Sequence, residues 1–157
     1  MAPHRRAYQW VYAYHFVKPA SGQGHWLILP SVNVEWMGEA LKNWVKEVDP
    51  DRKKLLVLLI DGAGWHKSKK LPVPENVLLY PLPSYTPELQ PVESTWPLLR
   101  EAVANRFFKT ISSLKEKLIE RCRYLFDNPD LVKGRTNWHS NLRKRIYARL
   151  LLWPGFG

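Results

Sequence analysis

The run Leu55-Leu56-Val57-Leu58-Leu59-Ile60 is short, apolar and cut off by a carboxylate, Asp61. A run of this length that gives way to Gly62 and Gly64 reads as a buried strand entering a loop, although periodicity alone does not separate it from a buried helix segment. An acid at the exit of a buried strand is costly to desolvate unless something pairs with it. A metal ion and a capped helix N-terminus are both common partners.

The chain around this run is patterned as an α/β domain. Ala7 to Val17 is aromatic and β-branched, which favours a strand with Tyr8, Trp10, Tyr12, Tyr14 and Phe16 on one face and Gln9, Val11, Ala13 and His15 on the other. Such aromatic interleaving beside Arg5 and Arg6 reads either as a stacking platform for single-stranded nucleic acid or as one face of a sheet packed on helices. Pro19 to Gly24 is turn-rich, and His25 to Leu29 is a second strand that pairs with the first as a hairpin. Asn33 is placed to cap a helix over Val34 to Val48. Trp36, Met37, Ala40, Leu41, Trp44, Val45 and Val48 make its apolar stripe. Asp49-Pro50 ends it, because the residue before a proline is pushed out of the helical region. Hairpin, helix and then a parallel strand is the order of an α/β core with a mixed sheet.

Beyond Asp61 comes a second apolar run, Val77-Leu78-Leu79-Tyr80, then a Pro-rich loop to Pro91. Val92, Trp96, Leu99 and Val103 follow at helical spacing. Pro97 lies inside this segment, so the regular helix is expected to start nearer Ser94 than Val92. Two strands ending side by side and a helix entrance bring Asp61 and Glu93 within reach of each other. Hard cations such as Mg²⁺ take carboxylate oxygens and keep several waters. Each acid also has a plainer reading: Asp61 as a cap or turn residue, Glu93 as a first-turn acid favoured by the helix dipole. Glu88 is a rival carboxylate, and Trp65 and Trp96 read as core. A further helix runs over about Ile111 to Phe126, capped by Thr110, with Leu114, Leu118, Cys122 and Leu125 inward.

The 157 residues suit one domain, and the formal net charge is +10. All the acids lie between Glu35 and Asp130, while Leu131 to Gly157 holds Lys133, Arg135, Arg143, Lys144, Arg145 and Arg149. Basic ends of this kind either meet a polyanion or are simply solvated. A lone Cys122 excludes an internal disulfide and a Cys-rich zinc site. There is no apolar run of transmembrane length and no signal-peptide pattern, so a cytoplasmic protein is expected.

At its most informative stretch the sequence resembles a known family. A strand followed by Asp61-Gly62-Ala63, then His66, then Leu82-Pro83-x-Tyr85-x-Pro87-Glu88-Leu89-x-Pro91-Val92-Glu93-x-x-Trp96, is similar to the second half of a DDE transposase, nearest to the bacterial insertion-sequence relatives of the mariner group. The resemblance runs from about Tyr8 to His139. It implies an RNase H-like mixed sheet flanked by helices, and DNA as partner, both transposon ends and target. It implies three acids binding two Mg²⁺ or Mn²⁺ ions for strand cleavage and transfer. Two such ions clamp the attacking and leaving oxygens of an in-line displacement.

On this resemblance Asp61 is the second acid and Glu93 the third, both metal ligands, with His66 as an accessory residue. Lys67, Lys69 and Lys70 lie along the DNA backbone, and Arg143, Lys144 and Arg145 add a second basic cluster. Residues 1–139 form a partial catalytic domain, and 140–157 form a basic-then-apolar extension that reads as a short amphipathic helix or an out-of-family addition. The family's first acid and first strand have no counterpart here, since nothing acidic precedes Glu35. That strand belongs between the aromatic strand and the strand ending at Asp61. Either another strand fills the gap, or the two edges meet, or the chain folds poorly. The resemblance therefore implies an N-terminally truncated enzyme that relies on a companion chain, or else an inactive remnant that binds DNA through its basic ends. A homodimer on two DNA ends and a nucleoid location accompany the family reading.

Overall fold

The computed structural model describes residues 10–60, 69–83 and 91–136, together with the backbone of 146–154. The elements are β1 (Trp10–Val17), β2 (Gly24–Leu29), α1 (Val34–Val48), β3 (Leu56–Ile60), β4 (Val77–Pro81), a 3-10 turn (Pro91–Thr95), α2 (Trp96–Arg100), α3 (Ile111–Asp127), α4 (Pro129–Thr136) and β5 (Ile146–Pro154). The five strands form one mixed sheet in the order β2-β1-β5-β3-β4. The fold is α/β, as the hydrophobic pattern predicts.

Side chains alternate across each strand, and both faces of the sheet are used. Tyr14 and Phe16 of β1 and Leu58 and Ile60 of β3 pack on α1 through Met37, Leu41, Trp44 and Val45. Val11, Ala13, Val17 and Leu59 join Val92, Leu99, Leu118 and Leu125 on the other face. The aromatic strand is thus sheet core on both sides. The buried part of the α1 stripe is narrower than its spacing suggests. Met37 to Val45 are inside, Trp36 is half-buried and Val48 is exposed.

Local chemistry sets the ends of the elements. Asn33 Oδ1 accepts the Trp36 N–H at 2.8 Å, and Thr110 Oγ1 accepts the Ser113 N–H at 3.1 Å, so both expected caps are formed. β1 and β2 pair antiparallel from Tyr12↔Leu29 to Val17↔Gly24. Their turn contains Gly22 at φ +72, where a Cβ would run into the Pro129 carbonyl and the Lys133 backbone. The hairpin tip is thereby seated against α4, a short helix that the sequence pattern does not announce.

Asp49, which ends α1, ties that helix to the β3–β4 edge. Its carboxylate accepts the Lys54 N–H at 2.9 Å, the Lys53 N–H at 3.1 Å and the Asn76 side-chain amide at 3.0 Å. The Lys54 N–H, helped by Lys53 and Asn76, holds its carboxyl below the usual carboxylate range against the opposing effect of burial. Stabilisation from a depressed carboxyl is present above the unfolded value of about 3.9 and is lost as pH falls through the folded one. Asp49→Ala is therefore expected to lower the urea midpoint at pH 7, and its gap from wild type should close as the pH drops below about 4. A gap that stays constant down to pH 2.5 would count against this linkage (a value well below the reference carboxyl).

The largest departure from expectation is Ile146–Pro154. It is a strand, not an amphipathic helix, and it lies at the centre of the sheet. It pairs antiparallel along the whole of β1, from Trp10↔Pro154 to Val17↔Tyr147. It pairs parallel with β3 at Leu58↔Ile146 and Leu59↔Tyr147. Of the outcomes open to the sequence, another strand fills the gap. Without it, β1 and β3 would each present a row of unpaired backbone groups in mid-sheet.

Candidate active site

Glu93 sits in the Pro91–Thr95 turn. In an α-helix the N–H of residue 97 would bond to the Glu93 carbonyl, but residue 97 is a proline and has none. The segment therefore takes a 3-10 turn, and α2 begins only at Trp96, later than expected. The face predicted from spacing is formed: Val92, Trp96, Leu99 and Val103 are all buried.

Two clamps fix this turn. Ser94 Oγ lies 2.6 Å from the Pro91 carbonyl and 2.5 Å from the Arg135 carbonyl, which ties the turn to α4. Thr95 Oγ1 donates to the Val92 carbonyl at 2.6 Å and meets His15 Nδ1 of β1 at 2.9 Å. The single hydroxyl proton of Thr95 is spent on Val92, so His15 Nδ1–H is the donor and Nε2 carries the lone pair. His15 is completely buried and stacked on Trp26, with ring centroids 3.4 Å apart, and Trp96 stands edge-on at 6.0 Å. Burial, with a smaller contribution from His25, pushes its pKa well below the ordinary value, so the ring is neutral. Between these clamps Glu93 is half-buried and its Oε1 is shielded from solvent.

The sheet register gives the level of this turn. His15 pairs with Arg149 of β5, and Tyr147 of β5 pairs with Leu59 of β3. Counting two residues on from Tyr147, Arg149 and His15 stand level with the point where β3 ends. The Leu82 N–H donates to the Ile60 carbonyl at 2.8 Å, so β4 runs out at the same end. The Glu93 turn is thus anchored where the parallel strands finish, about 10 Å across the sheet from β3 by ordinary strand spacing.

Asp61, Trp65, His66 and Lys67 lie outside the described residues, as do Glu88, Arg143, Lys144 and Arg145. Lys69 and Lys70 are exposed in the turn that resumes after them. Among the described residues no three His, Cys, Asp or Glu side chains gather as a metal-binding group. Cys122 is buried on α3, and burial pushes its thiol up to about 12, which removes it as a nucleophile. Sequence reasoning missed His15, Ser94 and Thr95. His15 was legible as the inward position of an alternating strand, but nothing local links it to a threonine 80 residues away.

The structure is thus a mixed α/β domain with a half-buried carboxylate in a turn anchored near the finishing ends of its parallel strands. Residues 5–115 match the DDE superfamily endonuclease family, and the chain belongs to it. A relative in Sinorhizobium fredii (strain NBRC 101917 / NGR234), "Uncharacterized protein y4pE/y4sA", is 37% identical over 121 residues, covering 76% of this chain and 88% of the relative. No solved structure matches. Glu93 and its Thr95–His15 clamp fall within the matched span, and Arg135 of the other clamp lies beyond it. Among the described residues no helix is long and apolar enough to cross a membrane.

Proposed function

We propose that this chain is the Asp61- and Glu93-bearing part of an RNase H-like transposase catalytic domain, related to the mariner-like insertion-sequence enzymes, that cleaves and joins DNA with Mg²⁺ or Mn²⁺. The observation that carries the reading is the anchoring of the Glu93 turn at the end of the sheet where β3 leads into Asp61. A half-shielded carboxylate there is the hard oxygen donor that such cations take. Bound divalent ions would stabilise charge on the attacking and leaving oxygens of the phosphodiester.

The chain's own residues hold and orient. Asp61 and Glu93 ligate, and the Thr95–His15 and Ser94–Arg135 clamps keep Glu93 from swinging away. His66 lies next to the acids in this reading. Lys67, Lys69 and Lys70 bear on phosphates, where they position DNA without reading sequence, and Arg143, Lys144 and Arg145 extend that contact. The first acid comes from a companion chain, and the assembly works as a dimer on two DNA ends in the bacterial nucleoid. Alone, with two of three acids, the chain binds ions weakly and does not cut.

Calorimetric titration of Mn²⁺ into the purified protein tests this. The wild type is expected to give a saturable heat that vanishes in Asp61→Ala/Glu93→Ala while far-UV circular dichroism is unchanged. An undiminished heat in the double variant would remove both acids from the site. Mn²⁺-dependent nicking by wild type alone, lost in Asp61→Ala, would keep the acids and overturn the need for a companion. DNA binding without any metal heat would favour the inactive remnant.

A further inference from the structure

Phe107 is the most exposed large apolar side chain among the described residues, at 84%. A single exposed apolar residue is common and by itself means little. Phe107 differs in how it is held and in what stands beside it. It lies in the connection between α2 and α3, which is pinned on both sides of it. The Ala104 N–H donates to the Arg100 carbonyl at 2.9 Å, and the Arg106 N–H to the Val103 carbonyl at 3.3 Å. Asn105 takes φ +57, the left-handed conformation that asparagine tolerates. On the other side Phe108 packs against the core cluster that holds Val92, Leu99 and Leu118, and Thr110 caps α3. With Phe108 drawn inward, the Phe107 ring is held out on a braced loop.

The charge around the ring has one sign. Ala102 to Lys115 contains no Asp or Glu, and Arg106 and Lys109, both exposed, bracket Phe107 in the sequence. Among the described residues neither cation forms an ion pair. Glu101, the acid just before this stretch, is taken by Arg121 at 3.0 Å. An open aromatic ring between two cations suits a single-stranded nucleic acid, which offers a π-face at each base and a phosphate on either side of it. An apolar partner would have to desolvate both charges with nothing to pair them. An intact duplex keeps its base faces stacked on one another and closed to the ring.

We propose that Phe107, flanked by Arg106 and Lys109, is a stacking tip for an unpaired base of single-stranded DNA. The ring takes the face of the base, and the two cations take the neighbouring phosphates. Such a tip holds a single strand without reading its sequence, because every base has a face to offer. The inference rests on the proposed DNA-processing reading for the identity of the polymer. It makes no use of Asp61, Glu93 or a metal ion.

The test is fluorescence anisotropy on the full chain with three fluorescein-labelled probes: a mixed-sequence single strand of DNA, a strand of the same length with abasic sites throughout, and a blunt duplex. Phe107→Ala is expected to weaken the single strand about tenfold and to leave the abasic strand and the duplex unchanged. Phe107→Trp should keep the single-strand affinity. Arg106→Gln/Lys109→Gln should weaken the abasic strand as well. It should also reduce the slope of log affinity against log salt on the single strand by about 1.4, the value for two lost phosphate contacts. All three positions are exposed, so the urea midpoints should stay at the wild-type value.

Unchanged single-strand affinity in Phe107→Ala, or an equal loss on the abasic strand, would overturn the stacking role. So would a wild type that does not bind the single strand. A wild-type dimer that Phe107→Ala splits into monomers in sedimentation would assign the ring to a second copy and overturn it too. None of these readouts uses a metal ion. A normal Mn²⁺ heat with no effect of Phe107→Ala would leave the DDE reading standing without the tip. A Phe107-dependent single-strand affinity with no Mn²⁺ heat would keep the tip and sink the acid-site reading.

Discussion

Lowering the pH below about 6.5 is expected to destabilise the protein through His15, at a slope approaching about 1.4 kcal/mol per pH unit. The ring is fully buried, its Nδ1–H is used on Thr95, and its Nε2 has no hydrogen-bond partner among the described residues and faces the Gly24 backbone at close range. Protonating Nε2 would bury a charge with nothing to receive the new N–H. The folded pKa is therefore below the unfolded one, by burial first and His25 second. In the interval between the two values the unfolded chain binds the extra proton and the folded chain does not, so stability falls as pH falls. His25 adds in the same direction, since burial lowers it more than Glu47 raises it.

The check is a set of urea midpoints from pH 7 to pH 5 for wild type and His15→Gln, a range that spans the reference imidazole value of about 6.5. The variant should be less stable at pH 7, because it loses the Trp26 stack and the Thr95 bond, yet its stability should vary less with pH. Equal slopes in the two proteins would show that His15 does not carry the acid sensitivity. The same clamp fixes the Glu93 turn, so the variant should also bind Mn²⁺ more weakly at pH 7, where protonation plays no part.

What could be read from the sequence divides along the range of the interactions. α1 and α3 are visible because each is set by neighbours: a cap three residues away, a stripe at i+4 and a proline-adjacent stop. The β1–β2 hairpin is visible because alternation and turn residues are local. The 3-10 turn is only half visible, since Pro97 signals a broken helix without saying how far the break extends. α4 is hidden by its weak pattern and by Gly134. The place of β5 could not be read at all. Its partners are β1 and β3, far off in sequence, and an apolar run after Arg143-Lys144-Arg145 satisfies a helix as readily as a strand until the empty slot is known. For the candidate site, Asp61 and Glu93 could be named from the sequence, and of the two Glu93 lies among the described residues. The clamps on Glu93 were not, because His15 and Ser94 reach their partners only once the sheet and α4 have formed.

Phe16→Ala is expected to have the largest effect on stability of any single truncation on β1, and it decides what the aromatic strand is for. The Phe16 ring is 2% exposed and stacks on Trp44 with centroids 5.0 Å apart and planes 6° from parallel. Removing such a ring leaves a cavity between sheet and helix and costs about 3–5 kcal/mol. That is a large share of the roughly 5–15 kcal/mol that holds a domain of this kind together. A stacking platform for single-stranded nucleic acid would need faces open to bases, worth about 1–3 kcal/mol each. Tyr14 and Phe16 turn theirs to α1 instead, and Trp10, 45% exposed at the strand's start, is the open ring among the described β1 aromatics. Urea denaturation should therefore show a steep loss for Phe16→Ala and a change within about 0.5 kcal/mol for Trp10→Ala. Single-stranded DNA affinity, measured at protein concentrations where both variants are folded, should be unchanged by Phe16→Ala. A drop in affinity for folded Phe16→Ala would return the strand to a direct role in binding. An unchanged affinity leaves the aromatic strand as the wall that holds His15, and through it Glu93, at the end of the sheet.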